Sequence, residues 1–478
     1  MESNPLHKAL LKLQRMEMAL VRARIACPGV IADRDYHRLR YILGFARLHV
    51  FSPGAALRSV SRADLAVDEG IVAPFRELTV RALYGPLYRE ESLKLRLEKS
   101  ASVLEPLRAA LESARPKLLA QHRAELSEAE LDAEVGWRSL VSICGGGGGA
   151  GYVYIGAAAR LRAEGMSSDY LVGSSIGALI GAFLARSREL DIQALMDWAK
   201  RLNMSSIFSR PMVGPSYTLP GLLRLHLKGL HQAMQHPDGS PLRLSDLEIP
   251  YEAVISGLRT RVYDHLPEGL REFSSVGGGG KRFSKLLAER MLMLATFANP
   301  NVVKPLVLGR DASTSAMRVV DAVGLSAAIP AVLQYEPIRR DAQSDTVLAQ
   351  LREAHSVALF LDGGVSANVP ARIAWEGVQA GRIGTRNAFY LALDCFHPQF
   401  EPRHLWLWPV TQAVQLQMPA QRPYFDWLMK FEPTLSPINL LPPARDFDRA
   451  FKWGWDQAET MLPFLKQALE PVPWLPGH

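Results

Sequence analysis

Residues 137–185 read WRSLVSICGGGGGAGYVYIGAAARLRAEGMSSDYLVGSSIGALIGAFLA. The stretch opens on a compact apolar run, 137–144, that leads straight into Gly145 to Gly151, where Ala150 is the single interruption. Residues 152–164 then read as a helix with Leu161 facing inward, and 170–172 as a second short apolar strand. Gly173-Ser174-Ser175-Ile176-Gly177 follows, and 176–185 is an apolar, small-residue helix fit for burial. The order is strand, glycine loop, helix, strand, serine turn, helix. A right-handed crossover of this kind brings both loops out at the carboxyl ends of neighbouring parallel strands.

A serine inside G-x-S-x-G lies on a sharp strand-to-helix turn, with its hydroxyl exposed above the sheet. Ser175 is the candidate nucleophile. Ser174 is excluded, because centring the motif on it needs a glycine where Val172 stands. Backbone N–H groups of the upstream glycine loop can point at an oxyanion forming beside Ser175. Farther along, the apolar run 357–361 ends in Asp362-Gly363-Gly364, which supplies a carboxylate at the end of a third strand. Each signal alone has an ordinary explanation. A glycine run can be a hinge, as 277–280 reads; G-x-S-x-G arises by chance; Asp-Gly is a common turn pair. Their order along one chain is what makes them a Ser-Asp site.

In these three motifs the chain resembles the patatin-like phospholipase family. The family's G-x-G-x-x-G matches Gly146, Gly148 and Gly151, its nucleophile motif matches Gly173 to Gly177, and its D-G-G/A motif matches Asp362, Gly363 and Gly364. Asn368-Val369-Pro370 is similar to the Asn-x-Pro that follows the acid motif, and Ser326-Ala327-Ala328-Ile329-Pro330 is similar to another family stretch. The resemblance covers roughly 138–400, in the size range of one domain. It implies an α/β, three-layer core with a mostly parallel sheet. It also implies a dyad in which Asp362 takes the Ser175 proton during attack on a lipid ester, giving an acyl-serine that water resolves, with no cofactor and no metal. The oxyanion donors fall among Gly146, Gly147, Gly148, Gly149 and Gly151. One departure stands out: where the family commonly has Arg or Lys, this chain has Ala150. A phospholipase A or lysophospholipase is the expectation. A triacylglycerol lipase or acyltransferase on the same dyad, and a catalytically weak lipid-binding scaffold, are the alternatives.

Other enzyme classes fit less well. An α/β-hydrolase orders its triad Ser, acid, His, and His397 or His404 could complete one, but its oxyanion loop normally belongs to a strand well separated from the elbow. Cys27, Cys144 and Cys395 have no disulfide or zinc spacing, which fits a reducing compartment. His226, His231 and His236 are five apart and cannot share one helical face. The glycine loop lacks the Gly-Lys-Ser/Thr of a phosphate loop, and no acidic ribose ligand ends the next strand.

At 478 residues and 48% hydrophobic content the chain can bury a large core with more than one unit. The expected organisation is a helical domain over 1–136, the catalytic domain over 137–400, and an aromatic-rich extension over 401–478. Helices are expected at 35–50, 62–84, 90–123 and, from the Ser127/Glu130 capping-box pattern, 127–136. Residues 219–234 and the Met-rich 285–297 are candidate caps over an acyl cleft. Trp406, Trp408, Trp427, Trp453, Trp455 and Trp474 are expected to pack on the catalytic domain. Through Arg62 there are eleven Lys/Arg against four Asp/Glu, a balance of +7 that equals the net charge of the whole chain. A basic amphipathic start suggests peripheral contact with anionic membrane, weighed against an ordinary packed helix. No nucleic-acid recognition motif accompanies the charge. With no signal-peptide pattern and no unbroken apolar span, a cytoplasmic location is expected. The oligomeric state is not legible.

Overall fold

The computed structural model describes residues 4–59, 62–211, 217–266, 271, 299, 301–397 and 408–476. The segment 285–297, the glycine run 277–280, His404 and Trp406 lie outside them.

Seven strands make the main sheet: β1 (Ser139–Cys144), β2 (Tyr170–Ser174), β3 (Tyr251–Arg259), β4 (Val303–Leu308), β5 (Val357–Asp362), β6 (Ala388–Asp394) and β7 (Trp427–Lys430). Strands β3, β2, β1, β6 and β7 run parallel in that order, and β4 lies antiparallel along the outer edge of β3. The central strands are buried on both faces, as parallel strands with helices above and below require. Leu140 and Cys144 of β1 enter one core, while Val141 and Ile143 enter the other. Helices α7 (Val153–Ala163) and α8 (Ile176–Arg186) lie on the first face; Ala371–Gln379 covers the second with Ile373, Ala374 and Val378. The chain thus has the expected three-layer α/β core.

The topology carries one feature that decides the site. Strand β3 is nine residues long. Its inner edge pairs with β2 up to Ser174 opposite Val254, and from the next residue that edge pairs with β5, which runs the other way and ends with Asp362 opposite Ile255. Since β4 occupies the outer edge from Ala253 to Leu258, β2 and β5 meet head-on along the same line. Strand ends 187 residues apart in sequence become neighbours through one backbone.

Among the described residues six α-helices precede the sheet: α1 (Pro5–Ala26), α2 (Asp33–Ala46), α3 (Glu69–Tyr84), α4 (Leu93–Ser102), α5 (Leu104–Gln121) and α6 (Glu128–Gly136). The last has the expected capping box, Ser127 with Glu130. The expected single helix over 90–123 breaks at Val103, and 62–84 gives up its start to a two-residue strand, Leu65–Ala66.

The basic first helix is not a free amphipath. Leu13, Met16, Glu17, Met18, Leu20 and Val21 are all buried. Arg22 stacks on Trp427 at 4.8 Å, and Arg24 pairs with Asp33. Glu17 receives Arg40 at 3.2 Å and Arg47 at 2.5 Å and faces Arg138 at 3.8 Å. Burial alone would raise its pKa, but the three guanidiniums hold the carboxyl well below the usual range. Arg40 and Arg47 thus spend their charge on a buried carboxylate, while Lys8, Lys12, Arg34, Arg58 and Arg62 remain exposed.

Residues 408–476 do not stand apart as an extension either. They supply β7 to the sheet and the helix Ala444–Leu469, which crosses α7 at backbone contact. A Cβ on Gly156 would lie 1.9 Å from the Phe451 carbonyl oxygen, and one on Gly454 would lie 1.8 Å from that of Val153. Trp427 packs on Phe464 of the same segment with centroids 4.3 Å apart, and Trp474 packs on Tyr41 of the amino-terminal helices at 5.1 Å rather than on the catalytic domain. Because no rotamer relieves a backbone clash, Gly454→Leu is expected to cost about 3 kcal/mol or more, or to prevent folding. Urea denaturation of the variant beside wild type measures this.

Candidate active site

Ser175 takes φ 55° and ψ −125°, a backbone conformation rare for a side-chain-bearing residue. The strain is held by close packing around the turn. A Cβ on Gly173 would lie 2.5 Å from the Gly177 carbonyl oxygen, and one on Gly177 would lie 2.2 Å from that of Cys144. Only hydrogen fits at either place. Ser175 is also the N-cap residue of α8, so the nucleophile candidate stands at the positive dipole end of that helix.

The Ser175 hydroxyl donates to Asp362 Oδ2 at 2.6 Å, and the Gly364 amide donates to Asp362 Oδ1 at 2.7 Å. Both carboxylate oxygens are occupied, and no imidazole stands between serine and acid. The triad through His397 finds no place in this geometry. Burial pushes the Asp362 carboxyl up to about 7, against the opposing pull of the Ser175 and Gly364 hydrogen bonds. A carboxylate so raised is basic enough to take a proton near neutrality.

Ser326, buried within the Ser-Ala-Ala-Ile-Pro stretch, joins the parts. Its hydroxyl accepts from the Ser175 amide at 2.9 Å and donates to the Val254 carbonyl at 2.6 Å. Its carbonyl accepts from the Gly363 amide at 3.0 Å, and that of Ala328 from the Asp362 amide at 2.9 Å. One short segment thus holds both the serine turn and the acid motif.

The glycine loop needs a correction. Gly146 donates its amide to the Asn368 carbonyl at 3.1 Å and Gly149 to the Pro437 carbonyl at 3.0 Å, so neither is free for an oxyanion. Gly151 packs against the Ile176 side chain, where a Cβ would come within 2.5 Å. Among the described residues the Gly147 and Gly148 amides meet no acceptor, and Gly148, at φ 54°, lines the same cavity as Ser175. The Ile176 amide, at the start of α8, is a further free donor that the motif reading passed over. Ala150 is fully buried.

Gln417 was also not anticipated. Its side chain accepts from the Asn368 amide at 2.8 Å and donates to the Gly364 and Val365 carbonyls at 3.2 and 2.9 Å. A lone glutamine far beyond the motifs carries no sequence signal. The candidate metal histidines do not converge: His226 Nδ1 accepts from the Lys228 amide and His236 faces Asp246. Among the described residues no group of three or more His, Cys, Asp or Glu is arranged to hold a metal.

Ser175 opens into a cavity of about 100 Å³ whose walls carry no charged side chain. Leu225, Leu227 and Leu230, from the candidate cap at 219–234, form one wall, and Leu440, Leu441 and Phe447 from the carboxyl-terminal segment form another.

The fold and this geometry define an α/β protein whose serine and carboxylate meet at the carboxyl ends of a mostly parallel sheet. A family model described as patatin-like phospholipase matches residues 142–375, so the chain carries a patatin-like phospholipase domain there. Similar relatives are uncharacterized NTE family proteins of Mycobacterium bovis and Mycobacterium tuberculosis, each 33% identical over 114 residues. The match covers 24% of this chain and 29% of each relative. No described helix is long and apolar enough to cross a membrane.

Two predictions concern stability. The Asp362 pKa is raised on folding, so ionising it costs stability progressively from about pH 4 to about pH 7 and fully above that. Asp362→Asn keeps two polar atoms in place and removes the charge. Its melting temperature should match wild type near pH 4 and exceed it at pH 8, with a gain of at most about 4 kcal/mol. Equal melting temperatures at both pH values would contradict the raised pKa. Ser326→Ala should cost about 2 kcal/mol in chemical denaturation, because it leaves the Ser175 amide and the Val254 carbonyl buried without partners.

Proposed function

We propose that this protein is a lipid acyl hydrolase of the phospholipase A or lysophospholipase type, working through Ser175 and Asp362. The observation that carries the reading is the 2.6 Å contact between the Ser175 hydroxyl and Asp362 Oδ2 at the mouth of a cavity with uncharged walls. Ser175 Oγ attacks the ester carbonyl carbon while its proton passes to Asp362. The carbonyl oxygen becomes an oxyanion, stabilised by the Gly147, Gly148 and Ile176 amides and the start of α8. Collapse of this intermediate breaks the ester C–O bond, and Asp362 returns the proton to the leaving alkoxide. Water, deprotonated by Asp362, then attacks the acyl-serine, releasing the fatty acid and restoring the hydroxyl.

The uncharged cavity favours placing the acyl chain inside and any polar head group outside. It makes no demand for phosphate, and with Ala150 in place of a cation the neutral-lipid alternative draws support from the same walls.

A fluorophosphonate probe tests the reading. Wild type should be labelled and Ser175→Ala should not. Ser175→Ala and Asp362→Ala should each lose about a thousandfold or more in ester hydrolysis. An unlabelled, inactive wild type would favour a lipid-binding scaffold. Because Asp362 acts ionised and its pKa is about 7, kcat/KM should fall about tenfold per pH unit well below that value and level off above it. A rate independent of pH between 5 and 8 would remove Asp362 as the base.

A further inference from the structure

Two helices face each other across the cavity with the same spacing. On α8 the lining residues are Ile176, Leu179, Ile180 and Phe183. On the helix Ile192–Lys200 and just past its end they are Leu195, Trp198, Ala199 and Leu202. Both sets step i, i+3, i+4, i+7, a single face of a helix in each case. Because α8 begins at Ser175, its face leads away from the nucleophile, and from Ile176 to Phe183 it advances about 10 Å. There the Phe183 ring meets the Trp198 indole, with centroids 4.9 Å apart and planes at 50°. Phe183 is 4% exposed and Leu195 7%, and Trp198 is half-buried, so packed side chains narrow this end. Gly148, Ala327 and Leu440 belong to the other end, where the glycine loop and the Ser326 segment meet Ser175.

We infer that Phe183 and Trp198 form the floor of an acyl-chain pocket and set the chain length the enzyme accepts. The favoured substrates are esters of medium-chain acyl groups, roughly eight to nine carbons, since an extended zigzag advances ~1.25 Å along its axis per carbon–carbon bond and about 10 Å takes about eight such bonds. The inference rests on the hydrolase reading above and adds the substrate class to it. A carbonyl held at Ser175 sends its chain along the α8 face, and every methylene that finds apolar wall adds about fourfold to kcat/KM. Once the chain reaches the paired rings, a further carbon must displace them or stay in water, and the gain stops. Two rings in mutual contact make a better stop than one, since moving either breaks packing with the other.

The test uses the full chain and p-nitrophenyl esters from butyrate to palmitate, each as a dispersed monomer. Wild-type kcat/KM should climb about threefold to fourfold per carbon to a maximum near octanoate and then level or fall. Trp198→Ala and Phe183→Ala should move the maximum at least two carbons longer, while Ala199→Phe, filling the same face, should move it shorter. Circular-dichroism melting identifies any variant that fails to fold, and the wild-type profile stands without the variants. A wild-type rate still rising at palmitate, or greatest at butyrate, overturns the ruler. So does a maximum that stays put in folded Trp198→Ala. If butyrate is hydrolysed through Ser175 but length has no effect, the ruler alone fails. If no ester is hydrolysed and fluorophosphonate does not label Ser175, the hydrolase reading fails and the ruler with it.

Discussion

The hydrogen bond between Ser175 and Asp362 depends on a shared strand edge. Strand β3 offers nine residues of backbone, and two strands running toward each other use up its inner edge, with one ending opposite Val254 and the other ending opposite Ile255. Neither side chain has freedom to seek the other. Their meeting follows from backbone register, which is why the contact is short and why both residues can be buried without mobile loops around them. Ser326 reinforces the junction by bonding at once to the Ser175 amide and the Val254 carbonyl. The positive φ at Ser175 persists because the surrounding hydrogen bonds over-determine it.

The burial that positions the pair also tunes it. A carboxylate on a wet surface stays ionised far below neutrality and is a poor base. Asp362 sits at the end of an apolar strand, with only a hydroxyl and one amide to stabilise its charge, and its pKa rises to about 7. The opposite outcome appears at Glu17, where burial as deep is overruled by three guanidiniums. In this protein burial is common to both carboxyls; the neighbours decide which becomes a base and which a structural anion.

The carboxyl-terminal segment shares in building the site. The Pro437 carbonyl takes the Gly149 amide, Leu440 takes the Tyr152 hydroxyl, and Gln417 braces the acid loop. With Gly149 held in this way, the Gly147 and Gly148 amides meet no acceptor among the described residues. The residues matched by the family model end at 375, so part of what shapes the pocket lies outside the family's shared core. Differences in acyl preference among proteins with the same three motifs can arise there.

What was legible in the residues follows from local rules. Alternation between apolar runs and glycine turns marked the strands on either side of Gly145 and before Ser175 and Asp362, and the motif order pointed to the Ser-Asp pair. The capping box at Ser127 was visible because it is a contact between residues three apart. By contrast, the capture of the Gly146 and Gly149 amides by the Asn368 and Pro437 carbonyls and the bracing by Gln417 each depend on partners distant in the chain. Composition marked the basic first helix and the aromatic residues beyond 400 without saying which surface each side chain meets, and in the structure both segments contribute to the core. The amino-acid sequence by itself determined the fold class and marked Ser175 and Asp362 as the candidate pair, because those readings rest on periodicity and on glycine at turns. Only the tertiary structure decided the register along β3, the spent and unspent amides and the depth of the pocket, because each depends on which remote backbone groups come within hydrogen-bonding or van der Waals distance.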